Sequence, residues 1–367
     1  MASVFFYISG HGYGHASREI EVINTLAPRL PACDIVVRTS VASWIFDRTV
    51  RGPFTLVAGR CDTGIVQIDS LHLDARRTFA EAAAFYHDFP EHIAREAALL
   101  RAHRATFVVS DAPPLACAAA QAAGVASAVL SNFTWDWIYE GYEHEAAHAP
   151  EVLAVVRDAY RGSPEAWRLP FHGGFATFDR VTDVPLIARH ARNDPADVRR
   201  LLKLPAAAPL ALSSFGGYGL NAFDPYRLDC LDTWCVVMTG RHEAPPLPAG
   251  ARFIDERDIY DAGLRYEDLV RAVDVVVTKP GFGIVAECIA NDTAILYTSR
   301  GRFVEYDVMV AEMPRFLRCE YLDLDDLLAG RWRAALDRLR RQPPAPEKPR
   351  TDGAAVVAAL IRSRIGA

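Results

Sequence analysis

Residues 7–23, YISGHGYGHASREIEVI, set Gly10, Gly12 and Gly14 among two histidines, directly after an apolar run and directly before a helical pattern. Glycine lets a backbone turn sharply and come close to a ligand. The spacing is not quite the GxGxxG of a dinucleotide site, and a lone approximate match is weak evidence. That fingerprint also expects an acid at the end of the second strand, where this chain has VVRTS with Arg38 and Thr39. An arginine there suits a phosphorylated ribose, so a nicotinamide enzyme stands as an alternative.

The other reading gives the work to His15. A helix N-terminus disfavours imidazolium, which leaves the ring uncharged and able to take a proton. A general base also needs a partner that orients it. Asp111, following the strand pattern TFVVS (106–110), falls on the same sheet edge, so His15 and Asp111 form a candidate base–carboxylate dyad. The plainer alternative has a helix-start histidine, with Asp111 capping the helix that begins near Pro113. Spacing alone leaves both open.

A second constellation lies further on. SSFGGYG (213–219) follows a strand pattern and offers Ser214, Gly216 and Gly217 as backbone donors to an anion. TKPGFGIVAE (278–287) follows another strand pattern and opens a helix, with Gly281, Phe282 and Gly283 at the turn and the positive Lys279 beside them. Glu287, one to two turns into that helix, could accept hydrogen bonds from both hydroxyls of a ribose. Amides for phosphate and a carboxylate for sugar suit a nucleoside diphosphate. The alternative is that these glycines are ordinary turn residues and Lys279 is solvated.

SNFTWDWIYEGY (131–142) is dense in aromatics. Trp135, Trp137 and Tyr139 could stack on an acceptor sugar, with Asn132 and Asp136 hydrogen-bonding it. Alternatively half of them are core, since Trp135 and Tyr139 are one helical turn apart. His11, with Gly12, is either an acceptor contact or a structural loop residue. His72, His87 and His92 lie in ordinary amphipathic or loop contexts.

These groups need a frame. Strand patterns at 3–9, 33–40, 106–110 and 126–131 alternate with helical patterns at 16–30, 90–103 and 114–124. The rhythm pauses around VTDVPLIARHARND (181–194). It restarts with a helix at 195–203, strands at 209–215, 233–240, 251–255, 274–283 and 293–298, and helices at 266–272 and 284–290. This is the βαβ rhythm of a parallel sheet covered by helices, occurring twice. Two α/β domains joined near residue 190 are expected to leave a cleft between their strand C-terminal ends, where such sheets bind ligands. The proline-rich stretch 341–353 reads as a surface crossing before a last helix.

The 367 residues are enough for two domains, and 51% are hydrophobic. The net charge of −6, without a basic stripe, argues against a nucleic-acid partner. Apolar stretches are broken by polar residues and prolines, so no membrane span is expected. The first apolar run lacks a basic n-region and ends by Ile8, so no signal peptide is expected. The seven cysteines show no CxxC and no zinc spacing, so no metal site is expected and a cytoplasmic setting fits.

GHGYGHASR, VVSDAPPLACAAAQAAGV, SNFTWDWIY, TDVPLIAR, FGGYG and KPGFGIVAE closely resemble the N-terminal half of L-arabinokinases, a half that itself looks like a GT-B glycosyltransferase. The similarity runs from about residue 3 to 325. Nothing here resembles the kinase half. The resemblance implies a GT-B fold of two Rossmann-like domains: residues 1–190, with helix 353–367 packing back on them, would bind the acceptor, and residues 191–345 the nucleotide sugar. It makes His15 the base of an inverting reaction and Asp111 its partner. It makes 214–217 and 279–283 the diphosphate turns and Glu287 the ribose acid. It sets RGRFVEYD, with Arg300, Glu305, Tyr306 and Asp307, against the donor sugar. It implies a UDP-sugar co-substrate, a small-molecule or glycan acceptor, and no metal. A nucleotide-sugar epimerase or hydrolase, or a non-catalytic sugar-nucleotide-binding module, are the competing readings.

Overall fold

The computed structural model describes residues 2–216, 223–240 and 246–366. The chain divides into two compact units, residues 1–66, 73–188 and 350–367 in one, and 67–72 and 189–349 in the other.

The first unit carries seven strands: β1 (Ala2–Ile8), β2 (Cys33–Thr39), β3 (Thr55–Ala58), β4 (Ala105–Asp111), β5 (Ala126–Phe133), β6 (Glu165–Gly173) and β7 (Arg180–Asp183). Their order is β3-β2-β1-β4-β5-β6-β7, all pairs parallel. Val4 to Ile8 are fully buried, the run without alternation that a parallel strand shows when helices cover both faces. The chain leaves β1 for β2 on one side and later returns as β4 on the other. The order in which strands are added therefore reverses between β1 and β4, and in such sheets ligand sites form at that switch point. Ile8 pairs with Asp111, so both strands end level there.

The second unit carries six: β8 (Leu210–Ser213), β9 (Cys235–Gly240), β10 (Ala251–Asp255), β11 (Val275–Thr278), β12 (Ala294–Tyr297) and β13 (Cys319–Tyr321). The order β10-β9-β8-β11-β12-β13 is again all parallel and again has its switch point beside the first strand, between β8 and β11. The last helix, Gly353–Ile365, belongs to the first unit and packs on the first helix, Tyr13–Leu26, burying Val357, Ala358 and Ile361.

The expected elements are present with shifted ends. The strand read at 274–283 stops at Thr278, because Pro280 lacks an N–H for the ladder, and the helix read from Ile284 begins at Phe282. β6 escapes the sequence pattern because it contains Pro170; its pairing with β5 slips in register, Ser131 facing Arg168 and Phe133 facing Gly173. No helix among the described residues is long and apolar enough to cross a membrane.

Candidate functional site

At the first switch point the chain runs from β1 through residues 9–12 into the helix Tyr13–Leu26. Gly12, the residue before the helix, has φ 154°, a conformation that side-chain-bearing residues rarely adopt. This entry puts His15 in the first turn, its side chain 11% exposed. Its Nδ1 lies 3.0 and 2.9 Å from the two carboxylate oxygens of Asp111, the last residue of β4. Nδ1–H therefore donates to Asp111, which leaves Nε2 as the proton acceptor. The capping role for Asp111 does not occur, since helix Pro114–Ala123 has no side-chain cap. Phe133 sets its ring edge-to-face against the imidazole at 5.6 Å.

Asp111 is fully buried. Burial would raise its carboxyl, but the Arg18 guanidinium and His15 beside it outweigh this and hold it below the ordinary carboxylate range. Arg18, one turn beyond His15, is ion-paired to Asp111, donates from Nη1 to Asn132 Oδ1 at 3.0 Å and lies 3.3 Å from His15 Nδ1. Sequence reading missed this residue. Its i, i+3 spacing from His15 is visible in GHASR, but its target is fixed by the pairing of β1 with β4.

Asp62 was missed too. It is buried, which pushes its carboxyl up, with Ser9 and the nearby His15 pulling the other way, and it accepts the Trp135 indole N–H at 3.0 Å. Trp135 is therefore wholly buried rather than presented to a ligand, and Tyr139, also fully buried, stacks on it at 5.7 Å. The core alternative thus describes these two rings. Asn132 is buried and engaged by Arg18; Asp136 is buried and accepts from Thr177 at 3.1 Å. His11 is half-buried, its Nδ1 accepting the Ile65 N–H at 3.2 Å and its ring edge-to-face on Trp135.

At the second switch point the loops after β8 and β11 run side by side. Ser214 N–H donates to the Val277 carbonyl at 2.9 Å, and Thr278 Oγ1 to the Ser214 carbonyl at 2.5 Å. Ser214 Oγ shares a hydrogen bond with the Tyr266 hydroxyl at 2.6 Å, and Ser70 donates to the Phe215 carbonyl at 2.5 Å. Gly216 takes a left-handed φ of 69°. Gly217 lies outside the described residues. The second loop carries Lys279 and Pro280, and Gly281 precedes the ten-residue helix Phe282–Asn291 that includes Gly283. Burial, and then the Arg300 charge, push the Lys279 ammonium down to about 7.

Glu287 sits in this helix and is buried. Its Oε1 accepts from Arg189 Nε at 2.7 Å, and Arg189 also lies 3.4 Å from Glu267. This pairing could not be read from spacing, as the partners are 98 residues apart. Arg300 places its guanidinium carbon over the Phe303 ring, 3.5 Å from the centroid, and lies 3.7 Å from Glu305. Glu305 is buried and Asp307 exposed, both in the first turn of helix Val304–Phe316; burial pushes the half-buried Tyr306 phenol up to about 12. No group of metal-binding side chains occurs among the described residues.

The whole chain superposes on solved glycosyltransferases. The calicheamicin glycosyltransferase CalG4 matches 100% of this chain and 98% of its own at TM-score 0.65 and 15% identity. UGT2 of Phytolacca americana, solved with UDP-2fluoro-glucose and pterostilbene, matches 100% and 96% at TM-score 0.60 and 12% identity. The fold is that of the GT-B glycosyltransferases. In sequence, the chain is 29% identical over 340 residues to an L-arabinokinase of Arabidopsis thaliana. That match takes in 91% of this chain but 32% of the arabinokinase, so the chain spans about a third of that relative's length. No protein-family model matches.

Proposed function

We propose that this protein transfers a sugar from a nucleoside-diphosphate sugar to a hydroxyl acceptor with inversion at the anomeric carbon. The observation that carries the reading is the His15–Asp111 pair, built at the switch point of a sheet in a glycosyltransferase fold. In this reading Nε2 of His15 takes the proton from the acceptor hydroxyl, and the oxygen attacks the anomeric carbon from the face opposite the leaving group. The C–O bond to the diphosphate breaks, and its electron pair leaves with the nucleotide. Asp111 stabilises the imidazolium formed.

The second unit would hold the donor. Backbone donors at 214–217 and at the N-terminus of helix Phe282–Asn291, with Lys279, would meet the growing charge on the diphosphate without a metal. Arg300, Glu305, Tyr306 and Asp307 would read the donor sugar. Glu287 is oriented by Arg189 and would reach the ribose hydroxyls with an oxygen it can share. Gly12 and His11 would border the acceptor. UDP or dTDP sugars are the donors of choice, because relatives of the same fold were solved with UDP-2fluoro-glucose and with dTDP. Calorimetric titration with UDP, dTDP, GDP and ADP sugars tests the reading. Saturable binding of one of them, followed by transfer to an added hydroxyl acceptor, is expected. Donor breakdown without acceptor would favour a hydrolase or epimerase, and binding without turnover a sensor module.

A further inference from the structure

We infer that Arg18 is a positioning residue that spreads its guanidinium over Asp111 and Asn132, offsetting part of the carboxylate's charge so that His15 keeps an oriented hydrogen bond while staying available as a base. The inference rests on the reading of His15 as the general base. Its ground is the arrangement itself: a side chain 3% exposed, ion-paired to a fully buried carboxylate, bonded at 3.0 Å to a buried amide oxygen, and 3.3 Å from the nitrogen that the same carboxylate orients. The planar guanidinium fork reaches both acceptors at once, as a lysine ammonium does not.

The electrostatic consequence follows from the groups around the imidazole. Asp111 faces it from β4, Asp62 acts on it from the segment after β3, and Arg18 lies on its own helix. Glu19, the next residue, is buried near Asp111 and lies 3.8 Å from Arg18; burial first, then Asp111, push its carboxyl well up, while Arg18 pulls the other way. Arg18 is thus the cation set against the carboxylates. A bare carboxylate beside a histidine favours imidazolium, and a protonated ring cannot accept the acceptor's proton. With Arg18 in place the hydrogen bond still orients the ring, while the guanidinium shares the carboxylate that faces it. Arg18 also fixes the rotamer of Asp111, because its other arm is anchored on Asn132 at the end of β5.

The test compares Arg18→Gln and Arg18→Lys in the full chain. The readout is the NMR titration of the His15 ring protons, assigned by their loss in His15→Gln. Without the guanidinium charge, the Arg18→Gln midpoint should rise by about one pH unit. The acid limb of kcat/KM should move with it. Arg18→Lys, which keeps the charge, should bring the midpoint most of the way back while turnover stays reduced. An Arg18→Gln midpoint equal to wild type in a folded protein overturns the inference, as does a rate loss that is the same at every pH. Arg18→Met carries the same comparison if the glutamine variant does not fold. The NMR readout needs no substrate. Transfer surviving in His15→Ala would sink the base reading; transfer lost there with an unmoved Arg18→Gln titration would sink this inference alone.

Discussion

In the proposed donor site, Lys279 would make binding depend on pH. Burial and Arg300 bring its ammonium down to about 7, so above that pH an increasing fraction of the empty protein holds it uncharged. A diphosphate prefers the charged form. Binding above pH 7 must then take up a proton and becomes weaker as pH rises. The affinity for a nucleotide sugar, whose diphosphate carries no proton in this range, is expected to fall about 25-fold from pH 6.5 to 8.5 if only the charged form binds. Calorimetry in buffers of different ionisation heat should show proton uptake at pH 8. A flat affinity across that range would remove Lys279 from the phosphate contacts. Arg189 makes a different statement. It lies between the buried carboxylates of Glu287 and Glu267, so Arg189→Ala strands two anions and should cost about 3–5 kcal/mol of stability. Urea unfolding measures this, and a loss below about 1 kcal/mol would mean that water replaces the guanidinium there.

The strands and helices were largely legible because each core strand is a continuous apolar run and each helix carries an apolar stripe. β1 and the helix after it are the clearest cases. β6 was not legible, since Pro170 interrupts the pattern and the irregular register with β5 accommodates it. Of the site, the glycine turns and the strand-end Asp111 could be read, because position in a βαβ unit foretells where a residue faces. The fork of Arg18 and the fate of Trp135 could not. Each depends on a partner, Asp111 or Asp62, brought close by strand pairing across tens of residues. Periodicity puts Trp135 and Tyr139 on one helical face but does not say whether that face looks inward. The closing helix, Gly353–Ile365, tests the element scale. Ile361 is fully buried where this helix covers the first helix. Ile361→Ala should lower stability by about 2–5 kcal/mol, seen as a lower denaturation midpoint. A change under about 1 kcal/mol would show that the helix contributes little to the first unit.

Across the molecule the same design occurs twice: a parallel sheet, a switch point beside its first strand, and loops on the strand ends there that carry the candidate site residues. The first unit puts an oriented histidine at that point, and the second puts a lysine and a helix N-terminus. The shared fold persists at 12–15% identity to solved glycosyltransferases, as expected where apolar patterning maintains a fold whose loops are free to vary. The most direct test of the account is His15→Ala, with transfer and nucleotide-sugar affinity measured on the same preparation. A general base contributes about 10²–10⁴-fold, so turnover should fall by that factor while the dissociation constant stays within about twofold of wild type. Undiminished turnover, or loss of nucleotide binding in step with activity, would contradict the assignment of His15 as the base.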